Sequence, residues 1–255
     1  MFSAIYHTIL YQPLFNLLVF FYNFIPGNDV GFAIIALTLL IKVILYPVSA
    51  KSIRNQKALQ QLQPKMEEIK KKYKDDREKM AQETMNLYRQ EKVNPFSSCF
   101  PILIQLPIFI AVYNVFRVGL SAQDFTLLYP FISNPGMIDT VSLGLIDLSA
   151  ARSIPGLVLA LLAGIAQYVQ VKMLSVKQPP KNKEGQVDPG AKDESMMAAM
   201  NKQMLYFMPV FTVIIGYTLP AGLVLYWFIT TLALVLQQRY SFKKNGSDTQ
   251  HEIAS

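Results

Sequence analysis

Five stretches of the chain are almost free of charge and long enough to matter to a membrane. They are separated by segments rich in Lys, Arg, Asp and Glu. The clearest is VGFAIIALTLLIKVILYPVSA, residues 30 to 50, in which Lys42 is the only charge up to position 49. A helix rises about 1.5 Å per residue, so roughly 20 apolar residues cross a hydrocarbon core about 30 Å thick. One central lysine costs about 2.5–3.5 kcal/mol on the insertion scale, and each large aliphatic residue returns about 0.3–0.6 kcal/mol. The segment therefore still spans. Further runs at 96 to 116, 154 to 176, 203 to 219 and 222 to 238 complete the set; no charge falls between Lys202 and Arg239. The pattern predicts an all-α, polytopic membrane protein with five transmembrane helices.

Charge then sets the organisation. The expected segments are an N-terminal interfacial part (1–28), transmembrane helix 1 (29–50), a charged helical hairpin (51–94) and helix 2 (95–117). An outer loop (118–153), helix 3 (154–176), an inner loop (177–202), helix 4 (203–219), helix 5 (221–239) and a tail (240–255) follow. The hairpin carries twelve Lys or Arg against seven acids, and basic loops stay in the cytoplasm. Five crossings then place the amino terminus outside and the carboxyl terminus inside. In the hairpin, Leu62, Met66, Ile69 and Tyr73 recur at helical steps, as do Met80, Thr84 and Leu87. Two amphipathic helices turning near Asp75–Asp76 are expected, with Pro64 near the start of the first; a solvated linker is the alternative. In the first segment Gln12, Asn16 and Asn23 share one face, which suits a helix lying in the interface. A signal peptide is the rival, although a basic start and a small-residue cleavage site are both missing. A further interfacial helix is expected around Phe125 to Phe131, and PPKNKEGQVDPGAKDE reads as a mobile loop.

Thr38, Lys42, Tyr46 and Ser49 follow at steps of four, four and three, and so lie on one face of a continuous helix. A stripe of hydroxyls, an ammonium and a phenol suits protein or water better than lipid. Intramembrane charges commonly mark a pathway or site; snorkelling of Lys42 to the nearer surface is the plainer reading. Gln105, between Pro101 and Pro107, is a buried amide that serves either a site or a neighbouring helix. Tyr226 and Thr230 share a face of the last span.

The overall composition agrees: 52% hydrophobic residues and a mean hydropathy of +0.27 over 255 residues. The net charge of +7 sits in loops, where topology accounts for it without nucleic acid. A single Cys99 excludes an intrachain disulfide, and His7 and His251 are at opposite ends of the chain. Without a phosphate-binding loop or a zinc or hydrolase motif, no enzyme activity, cofactor or metal is expected.

Several stretches together resemble the YidC family of membrane protein insertases: GFAIIALTLLIKVILYP (31–47), LQPKMEEIKKKY (62–73), EKVNPFSSCFPILIQLPIF (91–109), IDLSAARSIP (146–155) and LPAGLVLYWFITTLALVLQQ (219–238). The resemblance implies five helices around a hydrophilic groove open to the cytoplasm and to lipid. It puts Lys42 at the groove charge, commonly an arginine in the family, keeping the charge without the planar fork. Thr38, and the Tyr226–Trp227 pair, fall at positions along the substrate's path; Trp227 stands where a second tyrosine is frequent, and Ser97–Ser98 replaces a frequent Gly–Gly. With Tyr46, Gln105 and Thr230 these are the candidate groove residues. The resemblance also implies a bacterial cytoplasmic-membrane location, nascent membrane proteins as clients, and ribosomes, the Sec translocon and membrane lipids as partners. A solute or ion transporter is the alternative from another class, and a membrane anchor whose hairpin tethers a partner is a third.

Overall fold

The computed structural model describes residues 5–94, 100–119, 125–174 and 192–253; at 100–102, 118–119, 192–202 and 244–253 only the backbone is described. Ser97–Ser98, Lys177, Lys181, Lys183 and the Pro101 side chain lie outside the described residues. After one π-helical turn, His7–Tyr11, the helices are α1 (Gln12–Phe24), α2 (Val30–Ile44), α3 (Tyr46–Lys72), α4 (Arg77–Gln90) and α5 (Phe100–Asn114). A second π turn, Val115–Gly119, extends α5. Two short strands, β1 (Val141–Ser142) and β2 (Ile146–Asp147), precede α6 (Ile154–Leu174), α7 (Lys192–Thr218) and α8 (Ala221–Ile253). The described fold is all-α apart from this one antiparallel hairpin.

Helices α6 and α8 are each long and apolar enough to cross a membrane, and α2 with α3 forms a third, bent candidate; Leu103–Arg117 and Gln203–Thr218 are shorter apolar helices. Their outward faces carry Leu157, Leu161 and Ile165 on α6, and Phe207, Val210 and Ile214 on α7. An apolar face turned outward suits lipid. Inward, α8 packs on α6 and α2, and α7 packs on α6. Gly164 lets α6 and α7 approach closely: a Cβ there would lie 2.7 Å from Val213 Cγ2 and 3.1 Å from the Pro209 carbonyl oxygen. Small residues at such crossings are how helices associate in lipid, where no hydrophobic drive separates helix from acyl chain. Thr212 on α7 donates to Gln167 on α6, closing the same pair with a polar link.

The core lies at the β-hairpin end of the bundle. Phe15, Leu18 and Val19 of α1 are fully buried there with Val30, Ile34 and Leu37 of α2, Val112 of α5, and Leu223 of α8. The polar face of α1 has a definite use. Gln12 and Asn16 donate to the Leu127 carbonyl, Asn16 Oδ1 accepts the Tyr129 amide at 2.7 Å, and Asn23 donates to Ser133 O. The polar face read as suiting the interface is bonded to the long loop. That also explains why no helix forms around 125–131: α1 holds its backbone groups, and the segment runs as turns.

Other expectations need correction. The helix expected to run unbroken from 29 to 50 bends by 65° at Leu45. Pro47 has no amide to bond back to the preceding turn, so the ladder stops and a new helix starts with Pro47 in its first turn. Thr38 and Lys42 therefore do not share a continuous face with Tyr46 and Ser49. Pro64 lies inside α3, not near its start. The polar segment 192–202 is helical and leads into α7, and the tail to Ile253 continues α8. Charge marks where hydrocarbon ends; helical propensity carries on beyond it.

Candidate functional site

Lys42 sits in the last turn of α2, half-buried, one turn beyond Thr38. Among the described residues its ammonium has no hydrogen-bond or ion-pair partner. It lies in the turn that ends at the Leu45 bend. Sequence reading missed the bend beside this lysine, because it took the helix as continuous.

The other candidates divide. Thr38 is fully buried and its hydroxyl donates to Ile34 O at 2.6 Å within its own helix. Tyr46 begins α3 with 49% of its surface exposed, and its carbonyl accepts from Gln237 Nε2 at 3.3 Å. On the opposite side, the structure brings α5 and α8 together through two of the predicted residues: Gln105 Nε2 donates to the Tyr226 hydroxyl at 2.5 Å. Trp227 meets Phe109, one turn along α5, edge to face, at 5.7 Å between ring centres and 75° between planes. Thr230, one turn beyond Tyr226, is buried; its Oγ1 lies near the phenol but makes no hydrogen bond of acceptable geometry. Gln238, two turns further, is also buried, and its Oε1 has no hydrogen-bond partner among the described residues. This last residue was visible only as half of a Gln–Gln pair closing the span.

At the lower end of α8, the first turns of α3 lean on it. Lys57 Nζ donates to Phe242 O at 3.4 Å and lies 5.4 Å from the centre of that ring. From there α3 and α4 project as a hairpin with its own small core of Leu62, Met66 and Leu87. Tyr88 Oη donates to Met66 Sδ, and Lys65 pairs with Glu91 at 2.5 Å on the exposed side. Such an exposed pair adds under about 1 kcal/mol.

At the other end, Asp29 caps α2. Its Oδ1 accepts the Gly31 and Phe32 amides at 2.7 and 3.1 Å and the Ser142 hydroxyl at 2.7 Å, while Oδ2 accepts the Leu143 amide at 2.6 Å. Partial burial pushes this carboxyl upward, but the bonds from Leu143, Ser142, Phe32 and Gly31 outweigh it and hold it below the usual range. The Ser149 hydroxyl, against partial burial, holds Asp147 low in the same way. Above them, the Gly222 amide donates to Leu148 O at 2.8 Å, Ala221 to Ala150 O, and Arg152 to Tyr217 O. The α7–α8 turn is thus sealed to the long loop, whereas the end bearing α3 and α4 projects freely.

The family description "60Kd inner membrane protein" matches residues 20–248. The chain belongs to this family. A relative from Fusobacterium nucleatum subsp. nucleatum, named membrane protein insertase YidC, is 33% identical over 239 residues, covering 91% of this chain and 98% of its own. Relatives of the same name from Syntrophobacter fumaroxidans and Shewanella halifaxensis are 35% and 37% identical over 91% and 89% of the chain. This family member spans only 37% and 35% of those two longer proteins. Together with the apolar helices, membership makes it a multi-pass protein of the bacterial inner membrane. The relatives' names give no support to the transporter alternative.

Proposed function

We propose that this chain is a membrane protein insertase. Five spans enclose a hydrophilic groove that opens to the cytoplasm and sideways to lipid, with the amino terminus outside and the carboxyl terminus inside. The observation that carries this reading is Lys42: a half-buried ammonium without a partner among the described residues, in the last turn of an apolar helix that ends at a 65° bend. A charge satisfied within its own fold would have little left to offer a client. This one has no partner among the described residues and remains free to pair.

The chemistry is binding and transfer, without bond breaking or nucleotide hydrolysis. A client's short polar tail cannot cross about 30 Å of hydrocarbon with its backbone groups unsatisfied. A wet recess part-way through the bilayer shortens that path. There Lys42 attracts acidic residues of the tail, more strongly than in bulk water because the local dielectric is lower. The client's own apolar segment then leaves between α2 and α8 into lipid, and its burial drives the step. The sealed contact of the α7–α8 turn with residues 148–152 supports closure on the outer side. The projecting α3–α4 hairpin, with its basic excess, is suited to meet arriving chains and the ribosome, and the Sec translocon is a further partner on this reading.

The test is insertion into proteoliposomes, read by protease protection, using a client with an acidic tail. Lys42→Arg retains activity and Lys42→Leu loses most of it, while a client with a neutral tail distinguishes them far less. Equal activity of the leucine variant on the acidic client would refute the electrostatic step.

A further inference from the structure

The turn between β1 and β2 is built against local preference. Leu143 and Gly144 both have positive φ, +55° and +67°, and the Leu145 amide closes the turn on Ser142 O at 3.1 Å. Paired positive φ values are the mark of a primed hairpin turn, whose first position is ordinarily Asn, Asp or Gly. A leucine there is strained, and its side chain recovers little from the protein: Leu143 is 63% exposed and Leu145 81% exposed. Neither an easy backbone nor core packing accounts for two leucines at this tip.

The placement of the tip does account for them. Asp29, the residue that caps the membrane helix α2, grips both Ser142 and the Leu143 amide. The tip is therefore fixed within a turn of the point where the apolar run of α2 begins. Phe32, in that first turn, is itself exposed, so the top of α2 and the tip both present apolar side chains outward. No Lys or Arg occurs between Arg117 and Arg152, so the hairpin itself has no cation with which to hold anionic headgroups. We infer that Leu143 and Leu145 form an apolar wedge seated in the outer leaflet of the bilayer, at the boundary between headgroups and acyl chains, and that it anchors the top of α2 through Asp29. The occupant is lipid, engaged by hydrophobic contact rather than by charge. The turn bond to Ser142 O and the grip of Asp29 on the Leu143 amide fix the tip that carries the two side chains. The wedge stands independently of how the groove handles clients.

The test uses the full chain in proteoliposomes, in a Cys99→Ser background, with a spin label at Leu145→Cys. A label at Asp75→Cys, in the turn between α3 and α4, serves as the aqueous reference. Power saturation compares collisions with oxygen, which concentrates in lipid, against a nickel chelate, which stays in water. The label at 145 is expected to show an oxygen-to-nickel ratio severalfold above that at 75, the same in phosphatidylcholine alone as with added phosphatidylglycerol. A ratio equal to the reference overturns the wedge, as does one that rises only with the anionic lipid. Leu143→Asn guards against a merely structural role. It relieves the backbone, so the thermal midpoint in detergent is expected to hold or rise, with less gain in the bilayer; a fall in detergent would show that the leucine serves the protein itself.

Discussion

Removing the carboxylate of Asp29 should loosen two distant pieces of the chain at once. Its oxygens accept four hydrogen bonds, two within the first turn of α2 and two from the β1–β2 turn, between 2.6 and 3.1 Å. Loss of a helix cap costs about 1 kcal/mol. The two bonds across to the loop add about 1 kcal/mol each, at the low end for a charged acceptor because the site is partly wet. Asp29→Ala should then cost about 3 kcal/mol. A domain of this size loses about 2–4 °C per kcal/mol, so a drop of about 6–12 °C follows. Asp29→Asn keeps one accepting oxygen and should lose about half as much. The assay is thermal unfolding in detergent at a fixed scan rate, paired with hydrogen exchange at the Leu143 amide. The carboxyl titrates lower in the folded chain than in the unfolded one, whose value is near about 3.9. The unfolded state therefore takes up protons first as pH falls. Asp29 contributes in full above about pH 4 and loses its contribution as pH drops through the folded value. Between about pH 5 and pH 3 the parent should lose more of its midpoint than Asp29→Asn does. A midpoint for Asp29→Ala within about 2 °C of the parent, with the Leu143 amide still protected, would refute the reasoning.

Gln105→Leu strands the Tyr226 hydroxyl in a buried position and should cost about 1–3 kcal/mol, whereas pairing it with Tyr226→Phe recovers part of that loss; a double-mutant cycle on unfolding midpoints measures the coupling. Gly164→Leu drives a side chain into Val213 and the Pro209 carbonyl and should separate α6 from α7, read as loss of a Gln167–Thr212 cysteine crosslink in a Cys99→Ser background. Deleting residues 62–92 removes the satellite core of Leu62, Met66 and Leu87 and should reduce client insertion, with the detergent midpoint of the remaining chain changed little because Lys57 and Tyr46 still hold α8.

The parts that read directly from the sequence are those in which one physical cause acts alone. Apolar length located α6, α8 and the bent α2–α3 pair, which are long and apolar enough to cross a membrane, because nothing else in a chain of this size demands such runs. The hairpin's buried side is likewise plain in the spacing of Leu62, Met66 and Leu87, since a helix offers no other face for them. Reading failed where two causes compete for the same residue. The loop contact of Asn16 was not legible, because its polarity is visible but its partner, the backbone at 127 and 129, is over a hundred residues away. Residues 125 to 131 looked helical because their apolar pattern is visible, while the capture of their backbone by α1 is not. The β1–β2 turn left almost no trace, since a Leu–Gly pair is an unfavourable choice for it. Gln105 and Tyr226 were each legible as polar residues in apolar helices, but only the fold pairs them.

The same competition explains the lysine. Hydropathy judges Lys42 as a cost within a straight span, and by that measure it needs either a water-filled recess or a route to the surface. Pro47 changes the terms, because it stops the hydrogen-bond ladder and turns residue 42 into part of a helix C-terminus. Among the described residues nothing pairs with that ammonium. A carboxylate partner at that position would stabilise Lys42, and would also neutralise it. On the proposed reading, an unpaired charge beside the bend is what an acidic client tail would meet, and Pro47, five residues away, is what ends the helix there.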